Sequence, residues 1–526
     1  MTNLTPKRRD ILKMLSAGRT VAAARSLAPP QSATKPNILV IMADQHRAGL
    51  TRAGGFPLDT MPTLDRLAAG GVSFDRAYTT APLCVPARIS MLTGRWPHAH
   101  RVRQNSTPNS AVFEADVFQL TRGNGYRTAL IGKNHTYLKP ENVDVWRPYS
   151  HLDGWIPEGA PREYAEFDRW LGRLNHGTSL TATPFSPEVQ LPYRIASNAI
   201  DFIKESGDRP FALWMSFAEP HNPYQVPKPY FDLFPPEAVP PRGAGPETFR
   251  TKGFKWRWLQ GLEEKTYPGY RDHWRRTRSN YLGMLRLIDD QVARVMRQLE
   301  ESGKAQNTIV LYLADHGDYF CDYGLERKGV GLSEALTRIP MVWSGWNILP
   351  QKSDAFVSTA DVLPTLCEAI GLGIPPGAQG RSLWPLLQGK PYPRPEFETI
   401  YSEVGFGGMH YGPNDSIPDN WGRGRVAPDA TPTYDELNPV TQSGSLKMVR
   451  RGDWKLTFDM MGNGELYNVV RDPYELTNLY GRTENLNTQH QLMADLLRWT
   501  IRTQDDLPVG AYRPKWASRN WYSESI

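Results

Sequence analysis

Six ionisable residues stand at the ends of four apolar runs in this chain. Asp44 closes NILVIMAD (37–44), and Lys133 and His135 close RTALIGKNH (127–135). His221 closes FALWMSFAEPH (211–221), and Asp315 and His316 follow the apolar part of NTIVLYLADHGD (307–318). Apolar runs that are continuous rather than alternating read as buried parallel strands. Ligands of an open α/β sheet bind beyond the carboxyl ends of its strands. The six side chains are therefore expected to meet on one edge. A single Asp or His after a strand is commonly a helix cap or turn former; four such endings together point to a shared site. Asp44, Asp315 and His316 offer oxygen and imidazole ligands suited to a hard divalent ion such as Ca2+, Mg2+ or Mn2+. Lys133, His135, His221 and Lys328 offer positive charge and protons. A cation beside several basic groups suits a substrate with a dense oxyanion, sulfate or phosphate.

Cys84 lies in APLCVPARISMLTG (81–94). Its surroundings do not match the C-x5-R loop of thiolate phosphatases, because Ser90 stands where the arginine would be. Pro82 and Pro86 fit a loop entering a helix, ARISMLTG continues that helix, and Gly94 stops it. Cys84 is thus expected near a helix N-terminus, where partial positive charge favours an anion and a thiol's pKa is depressed. The residues alone leave a reactive thiol, an anion-facing side chain and a small buried one all open. Three cysteines without a C-x-x-C pair are too few for a disulfide scaffold and suggest no zinc site. Cys321 and Cys367 read as small buried residues, with a bridge between them left open.

These side chains need a frame. PTLDRLAAGG (62–71) is an amphipathic helix stopped by glycines. Leu282, Leu285, Ile288, Val292, Val295 and Leu299 recur at steps of three or four and mark another helix face. Strands alternating with helices predict an α/β fold, a large mostly parallel sheet sandwiched by helices. From about residue 395 the runs shorten: TIYSEVGF, LKMVRRGDWKLTFD and GELYNVV, then the helical QHQLMADLLRWTIRTQ. They predict a smaller C-terminal antiparallel sheet plus helix. The expected division is a leader at 1–34, a catalytic domain at 35–394 and a C-terminal subdomain at 395–526. Two aromatic, Pro/Gly-rich insertions, 234–275 and 405–440, either expose their rings for stacking on sugars or pack them away.

The 526 residues carry a formal charge of +6. Lys7, Arg8, Arg9, Lys13, Arg19 and Arg25, against Asp10 alone, account for most of it. The body is close to neutral, which argues against nucleic-acid binding. KRRDILKML resembles a twin-arginine export signal, although Arg19 and Arg25 interrupt its apolar core. The reading is a periplasmic or secreted protein, or a cytoplasmic one should the leader not function. No segment has the ~18 apolar residues of a membrane span.

CVPAR followed by ISMLTG resembles the C-x-P-x-R-x-x-x-x-T-G signature of type I sulfatases, in the alkaline-phosphatase superfamily. NILVIMADQ, GYRTALIGKNH, EPHNPYQVP, LADHGD with GLERKG and ALTRIP, GDWKLTFD and ELYNVVRDPYELTNL resemble further segments of that family in the same order. The resemblance implies hydrolysis of a sulfate ester, with a sulfated saccharide as one substrate class. In the family the signature cysteine is oxidised to formylglycine by a formylglycine-generating enzyme. One hydroxyl of its hydrate attacks sulfur to give a covalent sulfate ester, and the second expels sulfate. By resemblance Asp44, Asp315, His316 and the modified Cys84 bind the metal, Ca2+ first. Arg88 steadies the formylglycine, and Lys133 and Lys328 hold sulfate. His135 lies beside the diol, and His221 donates a proton to the leaving oxygen, a role shared with Lys328. Gln45 and His316 stand where many members have Asp and Asn. Both variants also occur in phosphonate monoester and phosphodiester hydrolases, which form the alternative reading. A third is an unmodified, non-catalytic homologue that binds anions.

One expectation concerns the leader alone. Residues 1–34 fused to a reporter are expected to carry it across the inner membrane, and to stop doing so when Arg8 and Arg9 become lysine. Export that persists through the general secretory route after that change counts against a twin-arginine signal.

Overall fold

The computed structural model describes residues 35–105, 108–250, 252–405 and 444–504. The leader, nearly all of the second aromatic insertion and the last residues of the chain lie outside that range.

Eight strands form the main sheet: β1 (Asn37–Ala43), β2 (Val72–Phe74), β3 (Arg127–Lys133), β4 (Val145–Tyr149), β5 (Phe211–Phe217), β6 (Thr308–Ala314), β7 (Met341–Gly345) and β8 (Gln351–Ser353). Their order is β4-β3-β5-β1-β6-β7-β2-β8. The first five strands in that order run parallel, and β7 is antiparallel to both its neighbours. β1 sits at the centre, with Val40 beside Trp214 on one side and Leu311 on the other.

The pleat explains why β1 reads as an unbroken apolar run. Leu39, Ile41 and Ala43 face a core that includes Phe202 and Ile203, from helix Leu191–Glu205, and Leu282, Leu285 and Ile288, from helix Trp274–Glu301. Ile38, Val40 and Met42 face the opposite core with Met91, Leu92, Leu363 and Leu366. Both faces are dry, so every position must be apolar. The helix face expected between Leu282 and Leu299 is buried along its whole length.

The C-terminal segment forms a second sheet, antiparallel throughout: β9 (Thr399–Val404), β10 (Leu446–Arg451), β11 (Trp454–Asp459) and β12 (Gly464–Asn468). A helix, Leu486–Thr503, covers it. Its core of Tyr401, Val449, Leu456, Leu466, Leu492 and Trp499 also takes in Trp96 and Ala360 from the larger region. Trp96 packs on Trp499 with ring centroids 5.4 Å apart. In the first insertion Trp256, Trp258 and Tyr270 are buried, so packing rather than display describes these rings. Cys321 and Cys367 are buried free thiols. No helix among the described residues is long and apolar enough to cross a membrane.

One backbone constraint bears directly on the sheet edge. Gly132, next to Lys133 in β3, has φ +118°, and a Cβ there would lie 1.9 Å from the Ser216 carbonyl oxygen of β5. Gly125 has φ +85° with open space around it. Gly125→Ala is expected to cost about 1–2 kcal/mol from the dihedral alone. Gly132→Ala adds the clash and is expected to cost about 4 kcal/mol or more, read as a larger fall in the denaturation midpoint. Equal falls would mean that the two strands part freely here.

Candidate active site

β1 delivers Asp44, β6 delivers Asp315 and His316, and the first turn of a helix delivers Cys84. One ligand atom from each of these four buried residues lies within 4.8 Å of every other. Cys84 Sγ is 3.2 Å from His316 Nε2 and 3.8 Å from Asp44 Oδ1. The His316 Nδ1–H donates to the Gly317 carbonyl at 2.9 Å, which leaves Nε2 as a lone pair facing the cluster. Two carboxylates and an imidazole lone pair could hold a divalent cation.

The helix Cys84–Thr93 starts at the site and ends at Gly94, which is left-handed at φ +68°. Cys84 and Arg88 are four residues apart and so share a face. That spacing brings the Arg88 guanidinium under the sheet edge. Nε donates to Asp315 Oδ2 at 2.8 Å, and Nη1 donates to Ser216 Oγ at 2.8 Å and to the Lys133 carbonyl at 3.0 Å. Arg88 thus ties the ends of β6, β5 and β3 together. Its Nη2 is buried without a hydrogen-bond partner among the described residues, 3.7 Å from Asp44 Oδ2.

Above this floor sits a ring of basic groups. Lys133 pairs with Asp44. Lys328 Nζ donates to Gln45 Oε1 at 3.0 Å and to His221 Nε2 at 3.2 Å, while the His221 Nδ1–H donates to the Asn222 carbonyl at 2.7 Å. His135 is exposed, with φ +45°, and its ring lies edge-on to His151 at 5.4 Å. The structure therefore gathers Asp44, Cys84, Arg88, Lys133, His221, Asp315, His316 and Lys328 tightly, and leaves His135 at the mouth.

Burial sets the protonation states. It holds the His316 imidazole down at about 3, against the pull of Asp315. Burial works to raise the Asp315 carboxyl, but His316, Arg88 and Lys133 together hold it below the usual carboxylate range. Burial, helped by His151, Lys328 and Lys133, keeps His221 well below an ordinary histidine. Burial also pushes the Cys84 thiol above its ordinary value, although Lys328 pulls the other way. The expected depression of that thiol by a helix N-terminus is overturned: desolvation of the thiolate outweighs the dipole.

Sequence reasoning missed His151 and Asp318, and marked Gln45 only as a departure from the family pattern, with no role. His151 follows β4 as the other site residues follow their strands. VWRPY is only partly buried and carries Arg147 and Pro148, so it lacks the apolar signature that marks the other four runs. Gln45 has φ +65°, its backbone N–H donates to Asp315 Oδ1 at 2.9 Å, and its amide bridges Lys328 and Asp318. Its side chain is thereby occupied away from the four-residue cluster. Asp318 accepts from Tyr224 and Gln45, and burial raises its carboxyl to about 6.

The sulfatase family profile matches residues 36–372. An arylsulfatase of Clostridium perfringens is 28% identical over 483 residues, spanning 86% of this chain and 91% of that protein. A choline-sulfatase of Rhizobium meliloti is 26% identical over 470 residues, 85% of this chain and 82% of that one. A phosphonate monoester hydrolase from Silicibacter pomeroyi shares the fold, with a TM-score of 0.72 at 19% identity over 90% of this chain and 96% of its own.

A cation held by the four donors would stabilise the folded chain by about 4 kcal/mol at a thousandfold excess over its Kd. Chelator treatment is expected to lower the melting temperature, and added Ca2+ to restore it. Asp315→Asn is expected to abolish that response. A response of undiminished size in Asp315→Asn places the cation elsewhere.

Proposed function

The chain belongs to the sulfatase family of the alkaline-phosphatase superfamily and hydrolyses sulfate esters, and we propose that it does so through a formylglycine made from Cys84. The observation that carries this reading is the convergence of Asp44, Cys84, Asp315 and His316 beneath Lys133 and Lys328. The raised thiol pKa supports it too, because an unmodified Cys84 would be protonated and a poor nucleophile.

Two carboxylates and an imidazole are hard or borderline donors, and the thiol is the one soft member of the set. Converting Cys84 replaces sulfur with oxygen and makes the set suitable for Ca2+, with Mg2+ or Mn2+ as alternatives. When in place, the formylglycine hydrate supplies an oxygen nucleophile with a second hydroxyl for release, and the cation offsets the charge on the sulfate oxygens.

The remaining roles belong to ordinary side chains. Arg88 locks the floor by its bonds to Asp315, Ser216 and the Lys133 carbonyl. Lys133 and Lys328 bind sulfate oxygens. The leaving alcohol needs a proton, and Lys328 with His221 provides it. His221 is fixed by its Nδ1–H bond to Asn222 and is held neutral, so the ammonium of Lys328 is the proton source and His221 orients it. His135 stands at the mouth, on the side where the organic group enters. A sulfated saccharide is the first class to test for that group. Export by the twin-arginine machinery to the periplasm or beyond completes the proposal.

The phosphorus-ester alternative draws on Gln45 and His316. The fit of Gln45 to Lys328 and Asp318 gives it a supporting task that does not depend on the choice of sulfur or phosphorus.

The peptide containing Cys84 is expected to be about 18 Da lighter than its cysteine form in protein from the native host. An unmodified mass ends the formylglycine reading and leaves the anion-binding homologue. Cys84→Ala is expected to lower turnover about ten-thousandfold or more without unfolding the chain. On matched aryl esters, sulfate is expected to be hydrolysed faster than phosphonate monoester or phosphodiester; the reverse order selects the alternative.

A further inference from the structure

We propose that His151 is a sulfate-binding residue of this site, an inference that rests on the sulfate-ester reading above. His151 belongs to none of the motifs that pointed to the other residues, yet it sits deeper than His135. Its Nε2 is 2.8 Å from Lys133 Nζ, and its ring stacks on His221 with centroids 3.7 Å apart and planes at 25°. Its side chain is only 13% exposed.

The two ring nitrogens have different fates. Paired with the Asp44 carboxylate, Lys133 Nζ donates to Nε2, which assigns the proton of the neutral ring to Nδ1. Nδ1 is buried and has no hydrogen-bond partner among the described residues. The nearest carboxylate oxygen, Asp44 Oδ2, is 3.8 Å away, beyond hydrogen-bond reach. A buried N–H without a partner costs about 1–3 kcal/mol. The donor is therefore kept for a group the protein itself does not supply. It stands beside Lys133 and His221, over the cluster that faces the oxyanion. A sulfate oxygen meets every requirement of that position: it accepts, it is charged, and Lys133 already attracts it. His151 also explains how Lys133 is held, since an ammonium fixed by both Asp44 and an imidazole cannot swing away from the anion.

Inorganic sulfate is the probe, because it has the oxyanion and no organic part. Its competitive Ki against aryl sulfate turnover is measured on the full-length, converted, cation-loaded enzyme. His151→Leu is expected to raise that Ki, and the aryl sulfate KM with it, about tenfold. His151→Asn, whose amide N–H stands near the Nδ1 position, is expected to recover most of the loss. His151→Gln, whose carbonyl reaches toward Lys133 instead, is not. A Ki within about twofold of wild type in His151→Leu overturns the inference. Recovery by Gln and not by Asn also overturns it, because His151 would then serve only to hold Lys133. Lys133→Ala, run in parallel, separates the two levels. Loss of sulfate inhibition there, with none in His151→Leu, removes His151 alone. An unchanged Ki in both removes the anion site and this inference with it.

Discussion

The structure depends on keeping charge balanced in a dry floor. Asp44 and Asp315 are completely buried, as are Arg88 and Lys133. Unpaired, any one of them would carry a desolvation penalty of several kcal/mol. They are tolerable because each touches an opposite charge: Arg88 on Asp315, Lys133 on Asp44. The pairing has a structural consequence. Arg88 reaches three strand ends at once, so the edge of the sheet is set by a guanidinium fork as much as by the ladders behind it. A planar fork with fixed donor directions can do this, whereas a lysine in its place could not.

The same arrangement explains why the site sits where it does. Parallel strands bury their faces and leave their carboxyl ends as the one place where polar side chains from distant segments meet. The helix Cys84–Thr93 brings its own N-terminus to that edge, with one buried turn carrying both Cys84 and Arg88. Trp96, just beyond this helix, is gripped by Trp499 and Tyr401 of the C-terminal sheet and helix. The smaller sheet thus braces the element that presents the central cysteine, although it supplies none of the four clustered donors itself.

Much of this was legible in the chain because burial on both faces forces continuous apolar runs. β1, β3, β5 and β6 announced themselves in this way, and the residues behind them landed together. The C-x-x-x-R spacing was equally readable, since four residues are one helical turn. His151 was hidden because β4 is a sheet-edge strand with partly exposed residues, and its sequence carries no such run. Gln45 stood out as a departure from the family pattern, but its role was hidden for another reason. Its role comes from a left-handed backbone and from partners some 270 residues away in Asp315 and Asp318, which no local pattern encodes. The protonation of Cys84 was misjudged because a helix N-terminus can be read from sequence while the depth of burial cannot.

That depth has a further consequence for Cys84. The residue is 1% exposed, and every residue of its helix is buried. A modifying enzyme could not reach the thiol without unfolding the helix, and with it the Arg88 contacts that tie β3, β5 and β6. On the formylglycine reading proposed above, conversion of Cys84 precedes closure of the site, on a chain not yet folded. The marks available to such an enzyme are then local ones, Pro86 and Arg88 beside the cysteine, and not the assembled floor. Arg88 serves twice on this account: first as part of a linear signal, and then, once the strands meet, as the cation that holds Asp315 in place. On the same reading, the burial that makes the floor hard to form also protects the converted residue after folding, because the helix that carries it is covered along its whole length.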